Sequence, residues 1–177
     1  MVVPGCFILK GYSMKQLWAP WRMEYIKSAV EESPGCIFCE FPKQNTDQAN
    51  LIIYRSKKSF VIMNKYPYNN GHIMVVPFAH IGNILEVDDE TFMDIHQTIK
   101  KSVRVLNNTL NPHGFNIGMN LGRVAGAGIE DHVHYHIVPR WNGDTNYMPV
   151  LSNTKVVSEA LNATCKTLSA GFKELFG

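Results

Sequence analysis

The segment His132–Arg140 reads His-Val-His-Tyr-His-Ile-Val-Pro-Arg and places a histidine at every second position from 132 to 136. Side chains of a β-strand point alternately to opposite faces, so this spacing predicts that His132, His134 and His136 line one face of a strand. Like charges this close lower one another's pKa, and we therefore expect the three imidazoles to be largely neutral near pH 7. A neutral imidazole carries a nitrogen lone pair that can attack an electrophile or bind a metal ion.

Two other interpretations of these histidines stay open at this point. Histidines on an apolar face can be structural, held by hydrogen bonds in a core. A strand with His-x-His pairs can also chelate zinc by itself. The strict alternation followed by Pro139-Arg140 favours a chemical role over the structural one.

The composition indicates a globular protein and excludes few functions. The chain has 177 residues, of which 45% are hydrophobic and 18% charged, and we expect a single domain over 1–177 with residues 1–13 as a loose N-terminal extension. The net charge of +2 gives no reason to expect a nucleic acid polymer or a membrane as partner. Met1–Lys10 lacks the features of an export signal, and we expect a cytoplasmic location.

Two of the four cysteines form the motif Cys36-Ile37-Phe38-Cys39. Two cysteines at this spacing make half of a tetrahedral zinc site, whose other ligands would have to be histidine or carboxylate side chains. A thioredoxin-like redox pair is the alternative, but the βαβ pattern that normally surrounds one is not recognisable. Cys6 and Cys165 are interpreted as incidental.

Short apolar or alternating runs predict an antiparallel sheet of about five strands and an α+β fold class. The predicted strands are Leu51–Arg55, Phe60–Asn64, His72–Pro77, Phe115–Asn120 and the histidine strand 132–140. One predicted helix begins after the N-cap Asp88, has apolar residues every three or four positions to Leu110, and packs on the sheet. A C-terminal helix is predicted over Val156–Phe176.

Two further segments carry weaker signals. Leu121–Gly128 is rich in small residues, and such a loop lets backbone N–H groups approach a phosphate. Leu17–Ile26 is dense in aromatic residues and is interpreted as core packing, with a subunit interface or base stacking as alternatives.

The pattern His-φ-His-φ-His-φ-φ of residues 132–138, between a glycine-rich loop and Pro139-Arg140, resembles the signature of the histidine triad family. Similar positions elsewhere are Asn64, Gly71-His72, His80 and Asn120, so the resemblance extends over about residues 36–150. It implies a HIT-like fold, a homodimer, and an enzyme that acts on nucleotides through a nucleotidyl–histidine intermediate. The segments 17–22, 36–39, 120–123 and 139–144 are most similar to the bacterial branch that includes diadenosine tetraphosphate phosphorylases.

The resemblance also implies roles for individual residues. His134 would be the nucleophile, while His136 and His72 would hold, polarise or orient the phosphate. Further nucleotide or phosphate contacts are implied for Asn64, Asn120, Gly126, Ala127 and Gly128. Relatives that contain zinc use a Cys-x-x-Cys pair, a histidine after the third strand and the first triad histidine, which implies Cys36, Cys39, His80 and His132 as ligands of a structural zinc ion.

One departure from the family pattern bears on the activity. Many members have Gln-Ser or Gln-Thr before the triad, whereas here Ala127–Asp131 intervenes, with one extra residue and no hydroxyl group. This departure argues against the phosphoramidase-type branch. The leading hypothesis is cleavage of dinucleoside polyphosphates, with phosphate or water as acceptor. The alternatives are a nucleoside phosphoramidase, a nucleotide-binding module without catalysis, and a metal hydrolase whose ligands are the three triad histidines.

Overall fold

The computed structural model describes residues 35–144 and 159–177. The extension 1–13, with Cys6, and the aromatic segment Leu17–Ile26 lie outside the described residues. No helix within the described ranges is both long and apolar enough to cross a bilayer.

The described part of the chain forms one antiparallel sheet of five strands, as predicted. They are β1 (Ile52–Arg55), β2 (Ser59–Met63), β3 (Ile73–Pro77), β4 (Gly114–Met119) and β5 (Tyr135–Arg140). Their order in the sheet is β1-β2-β3-β5-β4, so β5, the last of these five strands in sequence, lies between β3 and β4. The histidine segment therefore enters the middle of the sheet, next to the strand that follows His72.

The strand that carries the histidines begins later than predicted. β5 starts at Tyr135, and its pairing with β3 runs only from Tyr135↔Val75 to Ile137↔Ile73. Continued in this register, residue 133 would face Pro77, which has no N–H for the ladder. The N–H of Val133 donates instead to the carbonyl of Ile81 at 2.7 Å. His132 and His134 are thus on an extended segment before β5, and only His136 is on the strand.

Within residues 35–144 and 159–177, three α-helices accompany the sheet: α1 (Ile37–Glu40), α2 (Asp89–Leu110) and α3 (Leu161–Phe176). The predicted N-cap of α2 is confirmed, because the Asp88 carboxylate accepts the N–H of Thr91 at 2.9 Å. The helix ends at Leu110, and its C-cap residue, Asn111, adopts a left-handed conformation. The C-terminal helix α3 begins at Leu161, after the extended residue Ala160, while the predicted first residue, Val156, lies outside the described residues.

The two faces of the sheet have different coverings. One face packs against α2 and α3 to form the main core, with Val61, Val75, Ile137, Leu106, Leu168 and Phe172. Burial of a side chain such as Leu168 or Phe172 stabilises the fold by about 1.5–3 kcal/mol. The other face carries Ile62 and Met74 against Phe38 of α1. Met74 is the cross-strand partner of His136, so His136 lies on this second face.

Gly71 is a position where the turn before His72 requires glycine. Its φ is +68°, and a Cβ there would lie 2.5 Å from Cδ1 of Leu110 and 3.3 Å from Cγ of Pro139. We expect Gly71→Ala to lower the free energy of unfolding by about 2–3 kcal/mol, from backbone strain plus overpacking. Urea unfolding would measure this change.

Gly114→Ala is the matched control for that substitution. A Cβ on Gly114 meets no atom within 4 Å, and its φ is not positive. We expect a change within about 0.5 kcal/mol, as for ordinary surface substitutions. Equal unfolding midpoints for the two variants would contradict the steric argument.

Candidate functional site

Four side chains that could bind a metal ion come together from three parts of the chain. Cys36 is the N-cap of α1 and Cys39 lies within α1, while His80 follows β3 and His132 precedes β5. Their ligand atoms all lie within 4.8 Å of one another. Nδ1 of His132 is 3.3 Å from Sγ of Cys36 and 3.7 Å from Sγ of Cys39, and Nδ1 of His80 is 3.3 Å from Sγ of Cys39.

This donor set fits a tetrahedral zinc ion. With Zn–S bonds of about 2.3 Å and Zn–N bonds of about 2.0–2.1 Å, the edges of the tetrahedron are roughly 3.4–3.8 Å. Nε2 of His132 lies 2.9 Å from the carbonyl of Pro77 and donates to it, so Nδ1 carries the lone pair and faces the sulfurs. Burial and the neighbouring Cys36 raise the pKa of the Cys39 thiol, and a cation would favour the thiolate.

His134 is oriented as a neutral imidazole. Its Nδ1 lies 2.8 Å from the backbone carbonyl of His132 and donates to it, which puts the lone pair on Nε2. The side chain is 6% exposed. Burial lowers the pKa of His134, and burial is also the main cause of the lowered pKa of His132. The expectation of neutral imidazoles holds for these two residues, but like-charge repulsion is not the main cause.

His136 ends a chain of hydrogen bonds that starts at the turn before β3. The N–H of Tyr68 donates to Nδ1 of His72 at 3.1 Å, so Nε2 of His72 is protonated. Nε2 of His72 lies 3.0 Å from Nδ1 of His136 and donates to it. A neutral His136 therefore carries its proton on Nε2. The rings of His134 and His136 are in edge contact, with centroids 4.9 Å apart.

The triad histidines do not form a metal site of their own. Nδ1 of His132 faces the cysteines, and Nδ1 of His134 is bonded to the backbone. Among residues 35–144 and 159–177, the group of side chains that could hold a metal is Cys36, Cys39, His80 and His132. The hypothesis of a hydrolytic metal held by three strand histidines is therefore not supported by this geometry.

A cleft of about 960 Å³ lies on the same face of the sheet, a size suited to a nucleotide. Its apolar part is lined by Ile37, Phe38, Phe41, Leu51, Ile62 and Met74. Its polar part is lined by Asn64, Lys65, Tyr66, Arg123, Gly128 and Glu130. Oδ1 of Asn64 accepts the N–H of Tyr66 at 2.9 Å. The hydrogen-bond donor of the Asn64 side chain is its Nδ2 group.

The small-residue loop bonds two of its N–H groups internally, and its predicted contact with phosphate remains a prediction. The N–H of Gly126 donates to the carbonyl of Arg123 at 2.9 Å, and the N–H of Ala127 donates to the carbonyl of Gly122 at 3.2 Å. These two N–H groups would have to leave their carbonyls before they could bind a phosphate. Nδ2 of Asn120 braces the loop through the carbonyl of Gly126 at 3.3 Å.

Two residues that pattern analysis did not single out contact the histidines. Phe38, which is 2% exposed, packs its ring 5.4 Å from the ring centroid of His132 and 5.1 Å from that of His134. Tyr68 stacks on His72 with centroids 4.9 Å apart. The position of Phe38 between the two cysteines was the available signal, since any ion held by the pair also fixes the residue between them.

Comparisons with known proteins identify the family of this chain. A model of the HIT domain matches residues 45–143. The chain is 36% identical over 163 residues to a protein of Mycobacterium tuberculosis named AP-4-A phosphorylase, covering 88% of this chain and 83% of the relative. It is 31% identical over 110 residues to the adenosine 5'-monophosphoramidase of Candida albicans, covering 60% of this chain and 70% of the relative.

Solved structures give the same fold. A hypothetical histidine triad nucleotide-binding protein from Sulfolobus tokodaii superimposes with a TM-score of 0.65 at 26% identity. The match covers 79% of this chain and 93% of that protein.

Proposed function

The chain belongs to the HIT domain family of nucleotide-processing enzymes, and we propose that it cleaves dinucleoside polyphosphates through a nucleotide covalently bound to His134. The observation that carries the proposal is the orientation of His134, whose Nδ1–H donates to the carbonyl of His132 and leaves the lone pair on Nε2. The similarity to a relative named AP-4-A phosphorylase supports this class of substrate.

In the first step, Nε2 of His134 attacks the α-phosphorus, and the bond from that phosphorus to the bridging oxygen breaks. The leaving nucleotide departs with that oxygen. In the second step, inorganic phosphate or water attacks the same phosphorus and the N–P bond breaks. Two displacements replace one difficult displacement, as in other forms of covalent catalysis.

His136 and His72 assist this reaction in our proposal. The direction of the chain from Tyr68 through His72 to Nδ1 of His136 supports a protonated Nε2 on His136. That N–H can donate to a phosphoryl oxygen and stabilise the charge that develops there. Asn64, in the wall of the cleft, is suited to contact the nucleoside.

We also propose that Cys36, Cys39, His80 and His132 hold a structural zinc ion. Four protein ligands make a closed site, which stabilises structure and leaves no position for a substrate water. The ion would tie α1 and the end of β3 to His132, and so fix the segment that carries His134. Reduced thiols in such a cluster fit a cytoplasmic location.

A homodimer of single HIT-like domains is the assembly we propose. β4 is at the edge of the sheet among the described strands, and its Ile117 is 45% exposed. An edge strand with an exposed apolar residue is suited to pair with a second copy. A monomer in sedimentation equilibrium at micromolar concentration would contradict this assembly.

A nucleoside phosphoramidase is the second candidate, because the chain is also similar to the Candida albicans adenosine 5'-monophosphoramidase. The two candidate activities are distinguished by measuring kcat/KM for diadenosine tetraphosphate and for adenosine 5'-phosphoramidate, each with and without inorganic phosphate. We expect a higher kcat/KM for the tetraphosphate. Release of ADP in phosphate buffer would indicate phosphorolysis, and release of AMP would indicate hydrolysis. Preference for the phosphoramidate would overturn the proposal.

A further inference from the structure

We propose that Arg123 binds the phosphates beyond the one that His134 attacks, and that Glu130 holds Arg123 until those phosphates arrive. This inference rests on the proposed function and names a subsite for the distal part of the polyphosphate chain. It assigns Arg123 a role in selecting substrates with several phosphates over nucleoside monophosphate compounds.

The first observation is the position of the two residues. Arg123 and Glu130 both line the cleft, together with Asn64 and Gly128. Lys65 lines the same cleft and brings a second cation to it. Phe38 lines the cleft as well, and its ring centroid is 5.1 Å from that of His134, so the cleft adjoins the triad. A polyanion that is bound at the triad and extends into the cleft therefore meets Lys65 and Arg123, and Arg123 is paired with a carboxylate.

The second observation is the nature of that pair. Nε of Arg123 is 2.9 Å from Oε1 of Glu130, and the side chains are 77% and 41% exposed. Ion pairs with this much exposure contribute little net stability, so a competing anion can displace the carboxylate. A phosphate group is a strong competitor, because a guanidinium can bind two of its oxygens at once.

The third observation is that the backbone around Glu130 is closely packed while Arg123 is on a loop. A Cβ on Gly82 would lie 3.1 Å from Cα of Asp131 and 3.3 Å from the carbonyl oxygen of Glu130, so glycine at 82 allows this close approach. The next residues are tied down by the bond from the N–H of Val133 to Ile81. Arg123 is in a short 3₁₀ turn, Arg123–Ala125, and is the partner with more freedom to move.

The fourth observation concerns the other donors of the loop. The N–H groups of Gly126 and Ala127 are bonded to carbonyls within the loop, and Gly128–Asp131 offers no hydroxyl group. A phosphate at this loop therefore finds a side-chain cation more readily than those two backbone donors. Arg123 is therefore the group on this loop that is suited to bind the phosphate.

The test compares two ligands by calorimetry, so that it does not depend on turnover. The probes are AMP and α,β-methylene adenosine 5'-triphosphate, which carries two more phosphates and cannot be cleaved at the attacked phosphorus. We expect Arg123→Gln to raise Kd for the triphosphate analogue about tenfold and to leave Kd for AMP within about twofold. Glu130→Gln removes the competing carboxylate and should lower Kd for the analogue about two- to threefold.

Arg104→Gln is the matched control, since Arg104 is an exposed arginine on α2 outside the cleft. It removes the same charge and should change neither Kd by more than about twofold. An equal change in Arg123→Gln and Arg104→Gln would reduce the effect to net charge and overturn the inference. So would an unchanged Kd for the analogue in Arg123→Gln. Failure of the proposed function would instead appear as no turnover of any nucleotide by the wild-type protein.

Discussion

Replacing His134 with alanine should lower the rate of diadenosine tetraphosphate cleavage by at least about a thousandfold, because the variant lacks the imidazole nitrogen that forms the proposed covalent intermediate. His134 is nearly buried, with Nε2 carrying the lone pair. Since the alanine variant retains the cleft and Asn64, nucleotide binding should change by less than about tenfold. Rapid-quench assays of turnover and calorimetry of AMP binding would measure the two effects separately.

His113→Ala is the control for this experiment. His113 is exposed, lies in the turn before β4, and accepts the N–H of Asn142 at 2.9 Å. The rate of turnover by His113→Ala should stay within about twofold of the wild-type rate, as for other surface substitutions. If His134→Ala kept more than a tenth of wild-type turnover while His113→Ala behaved as expected, His134 would not be the nucleophile.

The second large effect is expected at the metal site. Cys36→Ser should abolish stoichiometric zinc binding and lower the free energy of unfolding by several kcal/mol, on the order of 3 or more. The physical reason is that a thiolate is lost from a closed set of four ligands, and α1 then loses its tie to His132. Elemental analysis of the purified protein and urea unfolding would measure both changes.

Cys165→Ala serves as the comparison for a lost cysteine. Cys165 is buried in the main core and is no part of the cluster, so this variant should retain one zinc ion per chain while losing some packing energy. Wild-type protein that contains no zinc after expression in zinc-supplemented medium, with unfolding unaffected by chelators, would contradict the metal proposal.

The fold was largely predictable because its signals are local. Strand alternation, the Asp88 cap and the apolar period of α2 each depend on neighbours in sequence, and the structure contains all of them. The start of β5, which was predicted too early, depends on tertiary contacts. Pro77 limits the pairing of β5 with β3, and the N–H of Val133 bonds to a loop outside the sheet.

The site was predictable in part. Alternation alone places His134 next to His136, but His80 and His132 joined the cysteine pair only through a family resemblance, since no spacing rule connects residues so far apart. The N–H groups of Gly126 and Ala127 donate to carbonyl groups of the same loop, and these bonds depend on a loop conformation that the sequence pattern does not predict. The position of Phe38 between two cysteines indicates that it lies near the cysteine pair, but it does not indicate that its ring contacts His132 and His134.

The covalent intermediate on His134 is the central claim, and intact-protein mass spectrometry after rapid quench tests it most directly. Wild-type protein mixed with diadenosine tetraphosphate should show a transient increase in mass equal to one adenylyl group, and His134→Ala should show none. Turnover by the wild-type protein without any such adduct at the earliest quench times, or an equal adduct on His134→Ala, would contradict the account.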